Sequence, residues 1–256
     1  MDQTTIQKLA ATTAAFYERH AGSFAASRTQ SWHGWQQLIP GIQAAVQRKP
    51  VHFLDLGCGN GRFLTFLESE VVMHEKTTAF TYTGIDSSAE LLKEAAAVQT
   101  THAATFQQRD ILTEVLAGTF FTNFHVFHAS YISVFGVMHH IPSQELRRQL
   151  LSDLAQIISP DGTCVISFWQ FEQFLTKESC RANSTQLALS DSDLEPGDYL
   201  LGWHGDVTAP RYCHNFSDSE ALELARATGW KVVSHFHADG KEDKANLYLV
   251  LTPQQR

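Results

Sequence analysis

Three glycines between a short apolar run and a helix-like pattern are the residues of this chain best suited to binding chemistry. The apolar run ends at Leu56, and glycines follow at positions 57, 59 and 61. Apolar side chains then recur at helical spacing, at Phe63, Leu64, Phe66 and Leu67. A side chain at any of these glycines would hold a ligand away from the main chain or clash with the turn. Amides at a helix start carry partial positive charge that suits a carboxylate. The segment therefore predicts half of a nucleotide-type βαβ unit.

Two aspartates lie at the ends of neighbouring predicted strands. Asp55 lies two residues before Gly57, and Asp86 ends the next predicted strand. A carboxylate at the end of the second strand is placed to hold the ribose hydroxyls of a ligand bound at the first. The glycine spacing is Gly-x-Gly-x-Gly, whereas pyrophosphate-binding dehydrogenases have Gly-x-Gly-x-x-Gly, so NAD is the weaker interpretation.

From the first predicted strand to at least residue 169, these motifs resemble those of the class I S-adenosylmethionine (SAM) methyltransferases. The resemblance implies that SAM is the cofactor. It also implies that Asp55 and the glycine turn hold the amino-acid end of SAM, and that Asp86 holds its ribose. The candidate residues for these contacts are Asp55, Gly57, Cys58, Gly59, Asn60, Gly61, Asp86 and Ser87.

An acidic residue after the third strand binds the adenine amino group in the family that the chain resembles. Asp110 stands at this position, so the resemblance implies that Asp110 contacts the adenine and that Ile111 stacks beside it. A structural alternative stays open, because aspartate is also a common N-cap of a helix.

The rest of the chain is expected to supply the elements that position these residues. Its 256 residues suffice for one domain with a large core. The resemblance implies an α/β fold: a Rossmann-like, seven-stranded, mostly parallel sheet with an antiparallel last strand, helices on both faces and an N-terminal helical cap. We expect a single domain, 1–256, with the cap at 1–49, the SAM-binding core at 50–170, and an acceptor-side loop and final strands at 171–256. The acidic segment 176–200 is longer than usual connections, which indicates a lid or a mobile excursion.

Two clusters of large side chains flank the predicted core. Arg28 lies close in sequence to Trp32 and Trp35, which indicates either a segment that covers the sheet edge or a lid with Arg28 facing a ligand carboxylate. Arg147 and Arg148 belong to a predicted helix whose leucines form the inward stripe, so both arginines are predicted to face solvent.

The composition argues against several classes of function. The formal net charge is −8 and the isoelectric point about 5.9, which disfavours a nucleic-acid footprint spread over the surface. The start of the chain lacks the basic and apolar segments of a signal peptide, and no stretch is apolar enough to suggest a membrane span. The four cysteines form no Cys-x-x-Cys pair, so we expect reduced thiols, no metal site and a cytoplasmic location.

Three further segments resemble the tRNA wobble-uridine carboxymethyl methyltransferases and their bacterial relatives. They are Phe24–Trp32, Val137–Pro142 and Trp203–Phe216. The resemblance implies esterification of the carboxymethyl group of a modified tRNA uridine, in an acceptor pocket formed by Arg28, His139, Trp169, Trp203 and Arg211. The eukaryotic members work with a small zinc-bearing partner, and the sequence leaves open whether this chain needs an activating partner.

The residue types of this pocket suit a carboxylate acceptor. A carboxylate arrives ionised, so it needs an arginine to aim one oxygen and aromatic walls to exclude water, and no general base is obligatory. A phenol or amine acceptor would instead need a base, for which His139 is the candidate. The alternatives are therefore a small acidic or aromatic metabolite, which the low isoelectric point favours, and a non-catalytic SAM-binding subunit that stabilises a partner.

Several acceptor-side residues also have a structural alternative. Arg211 would pair with Asp206 or Glu195 as a bridge between loops. His139 and His140 would cap the end of the fourth strand by hydrogen bonding.

Overall fold

A seven-stranded sheet forms the centre of the fold. The computed structural model describes residues 1–26, 30–48, 50–72, 80–125, 129–175, 184–203 and 206–254. The strands in these ranges are β1 His52–Leu56, β2 Thr81–Asp86, β3 Ala103–Gln108, β4 Ala129–Val134, β5 Ile158–Trp169, β6 Asp198–Trp203, β7 Asp206–His214, β8 Trp230–Ala238 and β9 Asn246–Pro253. The order in the large sheet is β3-β2-β1-β4-β5-β9-β8. Strands β1 to β5 pair in parallel, and β9 lies antiparallel between β5 and β8. The predicted fold class is confirmed.

Helices pack on both faces of this sheet because its strands are apolar on both sides. The helices are α1 Gln3–Ala26, α2 Ile39–Arg48, α3 Arg62–Phe66, α4 Ala89–Ala96, α5 Ile111–Leu116, α6 Phe120–Phe124, α7 Gln144–Ile157 and α8 Asp218–Ala227. Phe53 of β1 packs in one core with side chains of α2 and α3. Leu54 and Leu56 pack in the other core with side chains of α5 to α8. Alternation along the strand places these side chains on opposite faces.

A hairpin of β6 and β7, which the sequence did not predict, forms a second small sheet. It packs against α1, where the Thr13 hydroxyl accepts a hydrogen bond from the Tyr212 amide at 3.1 Å. Two short 3₁₀ turns, Ser184–Leu187 and Asp191–Asp193, precede β6. The lid predicted over 176–200 falls partly on residues 176–183, which lie outside the described residues.

Arg147 is buried, so its predicted exposure is wrong, whereas Arg148 faces solvent as predicted. The Arg147 guanidinium donates hydrogen bonds to the Ile141 carbonyl at 3.1 Å and to the Tyr212 hydroxyl at 3.3 Å. It also forms a 2.8 Å ion pair with Glu195. These partners come from outside α7, which is why the spacing of leucines within the helix did not reveal them.

His214 lies in the same buried network, between two carboxylates. Its Nδ1 lies 2.7 Å from Asp198, and its Nε2 lies 2.9 Å from Glu220. Burial acts to lower the pKa of His214, but the hydrogen bonds to Asp198 and Glu220 outweigh it, and the pKa rises above the usual 6.5. The imidazole therefore connects the hairpin to α8.

We expect protonation of His214 to stabilise the fold. Because its pKa is raised in the folded state, this contribution is complete below the ordinary pKa and is lost as pH rises through the folded pKa. The free energy of unfolding should fall more for His214→Gln at pH 6 than at pH 8. Exposed His33 supplies the control, His33→Gln, which should change stability by a few tenths of a kcal/mol at either pH. Equal losses for His214→Gln at both pH values would contradict the assignment.

Within the described ranges, no helix has the length and apolar character needed to cross a membrane.

Candidate active site

A cavity of about 260 Å³ lies at the carboxyl ends of the central parallel strands. Open α/β sheets bind their ligands at this edge. The walls come from the turns after β1, β2, β3 and β4, and from the end of β5. One face of α1 and the inner side of the hairpin complete the enclosure.

The three glycines after β1 all adopt positive φ angles, as their predicted role in a tight turn requires. The values are 73° at Gly57, 54° at Gly59 and 79° at Gly61. A Cβ at Gly57 would lie 2.3 Å from the side chain of Val137, so this position has no room for a side chain. A Cβ at Gly59 would meet no atom within 4 Å, because Gly59 faces the cavity. A side chain there would fill the space that a ligand needs.

Asp86 holds the glycine turn against the end of β2. Its two carboxylate oxygens accept hydrogen bonds from the Gly59 and Ser88 amides, both at 2.9 Å. Burial raises its pKa, and the backbone amides partly oppose the shift. Asp86 and Ser87 both line the cavity. Each carboxylate oxygen retains a second lone pair, so the predicted ribose contact is compatible with this geometry.

Asp55 does not line the cavity, and this placement does not support its predicted contact with the amino-acid end of SAM. The side chain is only 2% exposed. Its oxygens accept hydrogen bonds from the Tyr82 hydroxyl at 2.5 Å and the Ser133 hydroxyl at 2.6 Å. Burial raises the pKa of Asp55 to about 6. Asp55 therefore joins β1 to β2 and β4 beneath the glycine turn.

Cys58 and Asn60, both predicted to contact the cofactor, line the cavity between the glycines. Burial raises the pKa of the Cys58 thiol, so it is a small apolar wall and not a nucleophile. The Asn60 side-chain amide donates to Glu94 of α4 at 3.4 Å.

Asp110 both lines the cavity and caps α5. Its carboxylate accepts hydrogen bonds from the Thr113 amide at 3.2 Å and the Thr113 hydroxyl at 2.8 Å. The capping alternative is therefore correct, while the adenine contact stays a prediction. Ile111 lies beside it as an apolar wall of the cavity.

Arg211 places a buried positive charge at the wall of the cavity. The side chain is 5% exposed and lines the cavity. Its guanidinium carbon lies 4.5 Å from the ring centroid of Phe16, 5.4 Å from Trp203 and 5.8 Å from Trp169. It also donates a hydrogen bond to the Gly202 carbonyl at 3.3 Å.

The structural alternative for Arg211 is wrong, because its expected partners pair elsewhere. Asp206 pairs with Arg19 at 3.0 Å, and Glu195 pairs with Arg147. Among the described residues, no carboxylate lies within ion-pair distance of Arg211.

Only some of the other residues predicted for the acceptor pocket line the cavity. His139 and Trp169 line the cavity, with their ring centroids 4.8 Å apart. Trp203 does not line it and lies against Arg211 instead. Arg28 lies outside the described residues.

His139, His140 and Cys213 bring a possible set of metal ligands within 4.8 Å of one another. Both ring nitrogens of His140 already take part in hydrogen bonds of 2.8 Å, to Tyr17 and to the Tyr212 carbonyl. Burial raises the pKa of the Cys213 thiol to about 11. In this cluster His140 therefore serves as a hydrogen-bonding residue.

Arg62 and Tyr17 are among the cavity-lining residues that the sequence analysis did not predict. The Arg62 guanidinium lies 5.7 Å from the Trp32 ring and 5.8 Å from the Trp35 ring. Its position directly after the glycine turn was the available signal. Trp35 is buried in the core, as the capping interpretation predicted, whereas Trp32 lines the cavity.

The fold and the cavity together define a Rossmann-like, SAM-dependent methyltransferase. The glycine turn leaves room at Gly59 for a ligand against the main chain, and Asp86 and Ile111 line the same cavity. The family model described as "Methyltransferase domain" matches residues 20–235, and the chain therefore belongs to this methyltransferase family. Membership of this family favours an enzyme over a non-catalytic SAM-binding subunit. The cofactor of this enzyme is SAM.

Relatives and solved structures agree with this class. A protein of Encephalitozoon cuniculi named as a methyltransferase is 24% identical over 236 residues, covering 92% of each chain. A SAM-dependent methyltransferase of Methanosarcina mazei has a similar fold, with a TM-score of 0.60 and 14% identity, covering 83% of this chain and 96% of its own. The 1,6-didemethyltoxoflavin-N1-methyltransferase of Burkholderia thailandensis, solved with S-adenosylhomocysteine, has a TM-score of 0.55 and 15% identity. The match covers 94% of this chain and 88% of that enzyme.

Proposed function

We propose that this enzyme methylates a small acceptor molecule that carries an anionic group, and that Arg211 binds this group. The observation that carries the proposal is the burial of Arg211 against three aromatic rings at the cavity wall. A buried cation is costly unless an anion compensates it, and none of the described carboxylates does so. A carboxylate or phosphonate bound by the guanidinium would supply that charge.

The same contact would orient the acceptor. Methyl transfer from a sulfonium is an in-line displacement, so catalysis depends on holding the acceptor atom in line with the methyl group. A guanidinium fixed by Phe16, Trp169 and the Gly202 carbonyl anchors one end of the acceptor. Trp169 and His139 then form the wall along which the rest of the acceptor lies.

The tRNA acceptor implied by the sequence resemblance has less support. Binding of nucleic acid needs solvent-facing basic residues that contact phosphates. Arg109 at the cavity is held by Glu114 through two hydrogen bonds of 2.7 and 2.9 Å. Arg19 pairs with Asp206, and Arg211 is buried. The net charge of −8 also disfavours a tRNA acceptor.

Labelled SAM should transfer its methyl group to members of a panel of small aromatic and aliphatic acids, and not to bulk tRNA. Hydrogen bonds to charged groups contribute about 1.5–3 kcal/mol. Arg211→Met should therefore lower kcat/KM for the acids about 10- to 100-fold. Calorimetry should show an unchanged Kd for SAM, since Arg211 lies at the acceptor end.

Exposed Arg148 provides the matched control, because Arg148→Met removes the same charge from the surface. This variant should leave kcat/KM unchanged. Transfer to tRNA alone, or equal activity of Arg211→Met and the wild type towards the acids, would overturn the proposal. The activating partner and the cytoplasmic location stay predictions.

A further inference from the structure

Tyr17, His140 and the Tyr212 carbonyl form a chain of hydrogen bonds at the cavity wall. The Tyr17 hydroxyl lies 2.8 Å from Nε2 of His140, and Nδ1 of His140 lies 2.8 Å from the Tyr212 carbonyl oxygen. Tyr17 and His140 both line the cavity. Their rings meet edge to face, with centroids 5.4 Å apart.

The direction of these hydrogen bonds follows from the carbonyl. A carbonyl oxygen only accepts, so Nδ1 of His140 must carry the hydrogen. Nε2 of the neutral ring is then the acceptor, and the Tyr17 hydroxyl donates to it. The imidazole is held in the one tautomer that can take a proton from Tyr17.

The surrounding elements fix this geometry. Thr13 and Tyr17 lie one turn apart on the same face of α1. Thr13 accepts a hydrogen bond from the Tyr212 amide at 3.1 Å, while His140 donates to the carbonyl of the same residue. Helix α1 is thus fastened to β7 at the point where Tyr17 reaches His140.

We propose that the methylated atom of the acceptor carries a proton, as in a phenol, alcohol or amine, and that the pair Tyr17–His140 removes it. This inference rests on the proposed function and makes it more specific: the acceptor has an anionic group for Arg211 and a separate protic group for Tyr17. A carboxylate that is itself methylated would have no proton to give up.

The step balances in atoms and charge. The acceptor atom forms a bond to the methyl carbon, the carbon–sulfur bond breaks, and its electron pair stays on sulfur in S-adenosylhomocysteine. The proton of the acceptor passes to the Tyr17 oxygen as the Tyr17 proton passes to Nε2 of His140. The imidazolium so formed donates to the Tyr212 carbonyl until it releases the proton to solvent.

This proton relay, from the acceptor through Tyr17 to His140, differs from the sequence-based expectation that His139 is the base. The His139 ring lies against Trp169 and 4.0 Å from the His140 ring, centroid to centroid. The titratable and charged groups facing His140 in the described chain are Tyr17 from α1, His139 beside it, and Cys213 of β7, with Arg211 in the same cavity.

Kinetics with 4-hydroxybenzoate and with benzoate test the relay. The phenolic acid should be methylated and benzoate should not. Tyr17→Phe should lower kcat about 100-fold, the lower end of the usual effect of a general base, and change KM less than about threefold. His140→Gln should lower kcat by a similar factor. The double variant should lower kcat no further, because the two residues act as one unit. The residual rate of each variant should rise with pH as the phenol ionises by itself.

Tyr199 supplies the matched control, since its hydroxyl donates to Glu172 at 2.6 Å and it does not line the cavity. Tyr199→Phe should keep the wild-type kcat. Equal methylation of benzoate, or an unchanged kcat for Tyr17→Phe, would overturn the relay and leave the anionic acceptor standing. Methylation of neither acid, nor of any other acid in the panel, would overturn the proposed function.

A second measurement keeps the relay testable if no acid is methylated or a variant unfolds. Nitrogen NMR of histidine-labelled wild-type enzyme should show His140 with its proton on Nδ1 and a bare Nε2. The Nε2 signal should shift in Tyr17→Phe and stay in place in Tyr199→Phe. A proton on Nε2 in the neutral wild-type ring would overturn the relay.

Discussion

Replacing Gly59 with leucine is expected to weaken SAM binding about 100-fold or more, equivalent to about 2.7 kcal/mol. A Cβ at this position meets no protein atom within 4 Å, so the leucine side chain would extend into the cavity beside Asp86. The cofactor would then compete with a side chain for the same space. Isothermal calorimetry with SAM and with S-adenosylhomocysteine measures the loss.

A second glycine separates this effect from backbone strain. Gly118 has a φ angle of 66°, close to the 54° of Gly59, also has open space at its Cβ, and does not line the cavity. Gly118→Leu should cost a similar amount of folding free energy, about 1–3 kcal/mol, and leave the Kd for SAM unchanged. If Gly59→Leu bound SAM within about threefold of the wild type, the glycine turn would not be the cofactor site.

Replacing Arg147 with methionine is expected to lower the free energy of unfolding by about 3 kcal/mol. Removing one partner of a buried ion pair leaves the other charge uncompensated, at a cost of about 3–5 kcal/mol. The lower end applies here because the Glu195 side chain remains 25% exposed. The Ile141 carbonyl and the Tyr212 hydroxyl would also lose a donor. Denaturant unfolding at constant pH measures the change.

The adjacent residue is again the control, because Arg148 lies on the same helix and is exposed. Arg148→Met should change the free energy of unfolding by no more than about 0.5 kcal/mol. A difference of less than about 1 kcal/mol between the two variants would show that the buried network around Arg147 does not stabilise the fold.

The cofactor half of the site was predictable because its signals are local. An apolar strand, a glycine turn and a helix occupy one continuous segment, and Asp86 ends the next strand. The serine caps of α4 and α7 follow from the same local rules, with Ser88 and Ser143 accepting from the amides three residues later.

The sequence did not reveal side-chain contacts between residues that lie far apart in the chain. Asp55 accepts hydrogen bonds from Tyr82 of β2 and Ser133 of β4 once the strands pair, while its contact with SAM stays a prediction. The spacing of the leucines in α7 predicted that Arg147 faces solvent. In the folded protein, however, Glu195 and Tyr212 lie beside it. No local pattern reports such pairings, since they depend on how the sheet and the hairpin are assembled.

The hairpin and the contact between Tyr17 and His140 are two further features that the sequence did not predict. Strand β6 follows an acidic, polar segment that carried the signature of a loop. Tyr17 and His140 are 123 residues apart, and only the packing of α1 against β7 brings them together.

The position of β9 has a consequence for how the protein is made. β8 leaves the ribosome before β9, yet β9 is the strand that separates β8 from β5. Until β9 has emerged, β5 presents an open edge and β8 has no neighbour in the sheet. The nascent chain therefore cannot complete its sheet by adding strands in the order of synthesis, and the edge of β5 stays open to pairing with another strand until β9 arrives.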